Sequence, residues 1–316
     1  MKTRGNESFR RRNSKLVPRL LLLLGLIVAV ALITLFCVKF VAPRLKNSNT
    51  VSSLYRNWKK YDYEKVYDIS AKILEKKPLH NTARTFYGYS AFYLAVSETD
   101  SNLAQSYLDE SINSLRIALQ SSKKKSLGQI EYMLGKAYFY KNSISSYDYY
   151  ADLAVKYFQK SLDDRYKSDD VWQYLGLSYA ALGKRQESIA SFTKALDKES
   201  DVLLMNIAEQ YYLNGQSDAA KQYLFRCNNI SQNQDILSKS HTLLGQIYTD
   251  ESKYEDAFKE FNAVLEKDKN SADAHYGLGV LYEKQGDIAK ARSEWRKCIR
   301  IQVNHPGAAK KMAEIK

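Results

Sequence analysis

Reactive side chains are scarce in this chain. Its 316 residues include three cysteines and four histidines. Cys37 lies in an apolar run, and Cys227 and Cys298 are far apart with no C-x-x-C, which excludes a disulfide-dense fold and a zinc ribbon. His80, His241, His275 and His305 form no H-E-x-x-H and have no cysteine at ligand spacing, so no metal is expected. The dipeptides Gly135-Lys136 and Gly183-Lys184 lack the second glycine and the Ser/Thr of a phosphate loop. Gly277 and Gly279 fall inside an expected helix, which excludes a dinucleotide fingerprint, and G-x-S-x-G is absent. The acid pairs Asp163-Asp164 and Asp169-Asp170 sit at expected helix ends, where N-capping and dipole effects account for them. No catalytic residue, cofactor or small-molecule substrate is expected.

Charge of one sign is also missing from most of the chain. The formal charge of +13 is concentrated in residues 1–50, with ten Lys/Arg and one acid. The remaining residues carry 38 basic and 34 acidic side chains. A duplex-binding surface needs clustered Lys/Arg on the folded part, so nucleic acid is not an expected partner.

Leu20 to Val38 is a run of nineteen uncharged residues with Thr34 as its polar group. As a helix it rises roughly 28 Å, the hydrocarbon thickness of a bilayer. Lys2, Arg4, Arg10, Arg11, Arg12, Lys15 and Arg19 precede it against Glu7, whereas Lys39, Arg44 and Lys46 follow. This bias puts the N-terminus in the cytoplasm and the rest beyond the membrane. Cleavage near Ala29 and Ala31 would leave an exposed apolar tail. Phe36 is too bulky for an acylation signal at Cys37, and Arg11-Arg12 lacks the aromatic of a twin-arginine signal. The reading is a basic arm over 1–19, an uncleaved signal anchor over 20–42 and a folded region over 47–316.

That region repeats itself. Trp172, Leu175, Gly176, Tyr179, then Ser188, Phe192, Ala195 recur as His241, Leu244, Gly245, Tyr248, then Ala257, Phe261, Val264. They recur again as His275, Leu278, Gly279, Tyr282, then Ala291, Trp295, Cys298. A worn copy runs Leu204, Ile207, Ala208, Tyr211, then Ala220, Leu224, Cys227. Gly176, Ala208, Gly245 and Gly279 are 32, 37 and 34 residues apart. Steps of three and four residues place each set on one helix face. Glycine costs up to about 1 kcal/mol in a helix interior, so its recurrence points to close helix approach. Phe192, Leu224, Phe261 and Trp295 are expected to fill the space between units. His241 and His275 occupy the place of Trp172 and are read as packing residues.

This pattern resembles the tetratricopeptide repeat (TPR). The resemblance implies an all-α, right-handed α-solenoid of about seven helix pairs plus a capping helix, preceded by one transmembrane helix. Units are expected near 47–80, 81–125, 128–168, 169–202, 203–237, 238–271 and 272–305, with a cap over 306–316. The units around residues 98–101 and 141–153 carry extra residues, expected as loops, and Tyr147, Tyr149 and Tyr150 form a second candidate surface there. The first helix of the first unit, around Ser53 to Trp58, departs from the pattern.

In the family, first helices line a concave groove that binds a peptide or a partner's helix. The resemblance implies groove positions at Tyr89, Phe92, Tyr132, Lys136, Phe139, Gln173, Leu177, Met205, Glu209, Tyr212, Tyr276 and Val280. Their aromatics suit partner anchoring or simple packing. The carboxylate clamp of the chaperone-binding members is not expected, because Lys136 stands isolated. The expected function is a non-catalytic scaffold in a bacterial inner membrane, with periplasmic repeats. Its partners are proteins or peptides of a translocation, cell-wall, secretion or flagellar-motor complex. The alternatives are an organelle import receptor or co-chaperone with cytosolic repeats, and an enzyme with an unrecognised site.

Overall fold

A computed structural model describes residues 16–41, 49–145 and 150–314. Most of the basic arm, Pro43, Arg44, Lys46, Tyr147 and Tyr149 lie outside these residues. The first helix, α1 (Leu16–Phe36), continues as a π-helical turn, Cys37–Val41. All side chains from Leu22 to Phe40 are exposed, which makes an unburied apolar segment of nineteen residues. Its polar group is satisfied internally, because Thr34 Oγ1 donates to the Ala31 carbonyl at 2.8 Å.

Fifteen α-helices follow among the described residues, with one 3-10 turn, Leu196–Lys198, and no strand. They are α2 (Val51–Trp58), α3 (Tyr63–Lys76), α4 (Asn81–Ser97), α5 (Ser101–Ser121), α6 (Lys124–Ile144) and α7 (Ala151–Asp163). Then come α8 (Val171–Ala181), α9 (Arg185–Lys194), α10 (Asp201–Leu213), α11 (Ser217–Ile230) and α12 (Gln234–Asp250). The series ends with α13 (Tyr254–Lys267), α14 (Ala272–Lys284), α15 (Ile288–Ile301) and α16 (Pro306–Glu314). These are seven antiparallel pairs and a single closing helix. Substantial contacts join each helix only to those one or two places along the chain. The first helices α2, α4, α6, α8, α10, α12 and α14 touch in succession, which puts them on the inner face.

The periodic residues pack as a small-against-large code. A Cβ added at Gly176 would lie 2.5 Å from the Phe192 ring, and one at Gly245 would lie 2.7 Å from Phe261. Gly135 faces Phe158 in the same way, Gly88 faces Leu115, and Gly279 faces Trp295. Phe158, Phe192, Phe261 and Trp295 are fully buried, each contributing about 1.5–3 kcal/mol of hydrophobic stabilisation. In the worn copy Ala208 replaces glycine, and sixteen residues on the bulky partner shrinks to Leu224. The first pair inverts the sizes. Leu54 stands where the others have Gly or Ala, Ser70 follows sixteen residues later, and both are fully buried.

A second regularity lies seven residues beyond Leu54, Gly176, Ala208, Gly245 and Gly279. Gly183, Gly215 and Gly286 all have positive φ there, which turns the chain from first to second helix. Tyr61 (φ 56°) and Ser252 (φ 59°) hold the same left-handed position without being glycine.

Two expectations need correction. Extra residues of the second and third units that the structure describes lengthen helices: α4 has 17 residues, and α5 and α6 have 21 each, while residues 146–149 lie outside the described residues. Of the second candidate surface, Tyr150 is half-buried, stacked 6.3 Å from Tyr138 with the Lys141 ammonium 4.8 Å from its ring. The acid pairs also differ. Asp163 and Asp164 end α7, where the helix dipole disfavours a carboxylate. Asp170 stands at the N-cap position of α8 but makes no side-chain cap bond.

Candidate partner-docking groove

The inner face changes character along its length. In its first half the long helices α4 and α6 bring aromatics together and close the surface. Tyr89, Phe92 and Tyr132 are buried, so these three expected groove residues serve packing. Phe139 is half-buried, its ring 5.0 Å from that of Tyr174. Lys136 is not isolated. Its ammonium lies 4.7 Å from the Tyr174 ring centroid, 5.5 Å from Tyr132 and 5.7 Å from Phe92, and 3.4 Å from Asp170 Oδ2.

Asp170 gathers this cluster. Tyr132 donates to it at 2.5 Å, and Ser168 donates as well. Burial pushes the Asp170 carboxyl up, but the Ser168 and Tyr132 hydroxyls and the Lys136 ammonium together hold it below its usual range. Behind it, burial and the neighbouring Asp164 push Glu131 up to about 6. Asp170, Tyr132, Ser168 and Lys136 thus satisfy one another, whereas Glu131 Oε2 is buried without a hydrogen-bond partner. Gln173 and Leu177, on α8, are half-buried, and Leu177 packs against the Phe192 cluster.

From α10 onward the face opens. A recess of 530 Å³ runs over α10 and α12 to the start of α14. Met205, Glu209 and Tyr212 line it, as the offsets from Ala208 imply. A second recess of 250 Å³ shares Tyr212 and Gln246 with the first and is lined by Tyr276 and Val280. Five of the expected groove residues therefore meet in one continuous trough. Tyr212 is fixed in it, donating to Asp250 Oδ2 at 2.8 Å. Burial, then Asp250, push the Tyr212 hydroxyl up to about 12, so it stays a neutral donor at physiological pH.

The trough has residues that the sequence analysis did not name. Thr242, Gln246 and Thr249 line it at the same offsets from Gly245 as Met205, Glu209 and Tyr212 from Ala208. The repeat register alone was sufficient to find them. Ile236 had no such signal, because α12 begins at Gln234, before the expected start of its unit at 238; Lys239, just inside that unit, was not named either. Apolar seats alternate with charge: Val202, Met205 and Leu213 beside Glu209, Asp250 and Asp273, with Lys239 opposing them. Glu209 and Lys239 form no ion pair among the described residues.

The histidines are structural. His241 Nδ1 lies 2.6 Å from Glu260, and His275 Nδ1 lies 2.7 Å from Glu294, each bond tying the two helices of one pair. Among the described residues, no three His, Cys, Asp or Glu side chains converge on a metal site.

Comparison with known proteins follows the same lines. The family described as Tetratricopeptide repeat matches residues 169–197 and 272–305, and that described as TPR repeat matches 245–286. The chain is 27% identical over 141 residues to the anaphase-promoting complex subunit CDC16 of Saccharomyces cerevisiae, covering 43% of this chain and 17% of that protein. It is 29% identical over 103 residues to a STIP1 homolog of Dictyostelium discoideum, covering 31% of this chain and 18% of that protein. The matches thus span under a fifth of these curated relatives. Among solved structures, the C-terminal part of a TPR repeat-containing protein from Cytophaga hutchinsonii superposes with a TM-score of 0.53 at 14% identity. That superposition covers 83% of this chain and 98% of the other, a likeness of fold. The chain carries tetratricopeptide repeats at residues 169–197 and 245–305, within an all-helical solenoid that runs from Val51 to Glu314.

Proposed function

We propose that this protein is a membrane-anchored, non-catalytic scaffold that docks a segment of a partner protein in the trough over α10, α12 and α14. The observation that carries this reading is the continuity of the trough across three successive first helices, with Tyr212 and Gln246 common to both recesses. The segment it takes is extended or helical and offers apolar side chains to Val202, Met205 and Leu213. The acids Glu209, Asp250 and Asp273 outnumber Lys239, which favours a partner segment with net positive charge. The CDC16 relative, a subunit of a larger complex, supports an assembly role.

Residues 22–40 act as the anchor, with the N-terminus cytoplasmic and the solenoid in the periplasm beside an envelope complex. Anchoring raises the effective concentration of a bound partner at the membrane. A photoreactive residue at Glu209 is expected to capture one dominant partner, and one at Lys194 on the second-helix side is not. Equal capture from both sites overturns the docking trough. A topology reporter fused after Lys316 is expected to be active only outside the cytoplasm, and cytosolic activity removes the periplasmic placement.

A further inference from the structure

Because the helices alternate in direction, the junctions between successive pairs all lie along one edge of the solenoid. The turns within pairs lie along the opposite edge. The chain enters on the junction edge. Tyr55 of α2 packs edge-on against Phe86 of α4 with ring centroids 4.9 Å apart, so Val51, one turn earlier, is level with the start of α4. The first two junctions are neighbours. Asn81 Nδ2 donates to the Ala118 carbonyl at 2.7 Å and to Ser121 Oγ at 2.8 Å, which binds the start of α4 to the end of α5.

These two adjoining junctions carry one kind of surface. Lys76 and Lys77 precede Pro78 and Leu79 at the first, and Lys123, Lys124 and Lys125 form the second; all are exposed. None of the five lysines is ion-paired among the described residues. Leu79 is 78% exposed, a large apolar side chain presented at the tip of the junction. The third junction reverses the sign, with Asp163, Asp164 and Asp169 against Arg165 and Lys167. The fifth, residues 231–233, carries no charge. The fourth has Asp197 and Glu199 against Lys198, and the sixth has Lys267 and Lys269 against Asp268. The seventh, residues 302–305, has no Lys, Arg, Asp or Glu, so the basic excess is greatest at the two junctions nearest the anchor.

We propose that this lysine-and-leucine edge rests on the anionic headgroups of the same bilayer that holds residues 22–40, so that the solenoid leaves the membrane surface after its second pair. The proposal rests on the anchoring reading above and holds whichever side of the membrane the solenoid occupies. Nine residues lie between Phe40 and Thr50, and that link reaches at most about 35 Å. The first pair cannot leave the neighbourhood of the lipid surface. Lysine ammonium groups are drawn to anionic headgroups within about 8–10 Å, the range set by ionic screening. Their long stems and Leu79 can then sit at the apolar boundary.

The test uses the full chain reconstituted into vesicles of phosphatidylcholine with or without phosphatidylglycerol. A fluorophore is attached through Leu79→Cys, Thr99→Cys on the opposite edge, or Ile27→Cys in the span, in a Cys37→Ser background where Cys227 and Cys298 are buried. With phosphatidylglycerol present, a headgroup-borne quencher is expected to quench the label at 79 and spare that at 99. That quenching should be lost in high salt and when the five lysines are replaced by glutamine, with helix content unchanged. Equal responses at 79 and 99, with the label at 27 quenched from the acyl chains, overturn the edge and leave the anchor standing. Such a result assigns the edge to solvent or an acidic protein. A label at 27 that acyl-chain quenchers cannot reach overturns the anchor and the edge together.

Discussion

The two halves of the inner face use the same repeat in opposite ways. Between α4 and α8, long helices press Phe92, Tyr132 and Tyr174 around the Lys136 ammonium and tie it to Asp170, so the polar groups spend their bonding capacity on one another. Between α10 and α14, the equivalent offsets hold Met205, Glu209, Gln246 and Val280, which leave open recesses. One fold thus presents a closed segment beside an open one. Aromatic content, the feature that draws attention to the first half, marks where the face is closed.

The strongest way to break this contrast is Trp295→Ala, which empties a fully buried site in the receptive half. It should cost about 3–5 kcal/mol in denaturant unfolding. By hydrogen exchange the lost protection should be confined to α14–α16 and their neighbours, because units of such an array contact only their neighbours. Equal loss in α4–α7 would show that the halves are one cooperative block. Gly176→Ala, at the boundary between them, should cost about 1–3 kcal/mol through overpacking against Phe192. Adding Phe192→Leu should recover part of that loss, since it recreates the natural Ala208 and Leu224 combination.

The closed half should also betray itself in its pH dependence. Glu131 titrates at about 6 in the fold against an ordinary 4.5. Its contribution is complete below the ordinary value and is lost as pH rises through about 6. Asp170 works in the opposite sense, its contribution being present above the ordinary carboxylate range and lost in more acid solution. Glu131→Gln should stabilise the protein on the order of 1 kcal/mol at neutral pH. That gain should vanish toward pH 4, as read from thermal unfolding across pH. The smallest effect belongs to the receptive half. Ser252→Gly relieves a left-handed backbone position and should stabilise by about 0.5–1 kcal/mol, while Gly183→Ala, at the same register, should do the reverse.

The units most legible in the sequence were those with Gly176, Gly245 and Gly279, where close packing demands glycine against a large ring sixteen residues on. The first pair was obscure because Leu54 and Ser70 exchange the usual sizes while filling the same kind of space. The long units misled in another way. Hydrophobic spacing marks which face is buried but not whether extra residues extend a helix or form a loop, and here they extend α4, α5 and α6. Offsets from the small residue located Met205, Glu209, Tyr212, Tyr276 and Val280 in the trough. The same offsets failed at Tyr89, Phe92 and Tyr132, since the rings of Trp58, Tyr140 and Tyr166 pack against them. The partner of Lys136, Asp170, was not legible because it lies 34 residues away in the next pair.

The nearest-neighbour arrangement of the helix pairs has a mechanical consequence. With pairs linked in series, tension applied between the N- and C-terminal ends is borne by each in turn, and the weakest yields first. Stretching a single molecule should then produce a staircase of discrete lengthenings, roughly 10 nm per unravelled pair. A tether built this way absorbs a pull by surrendering one module at a time while the others hold their shape.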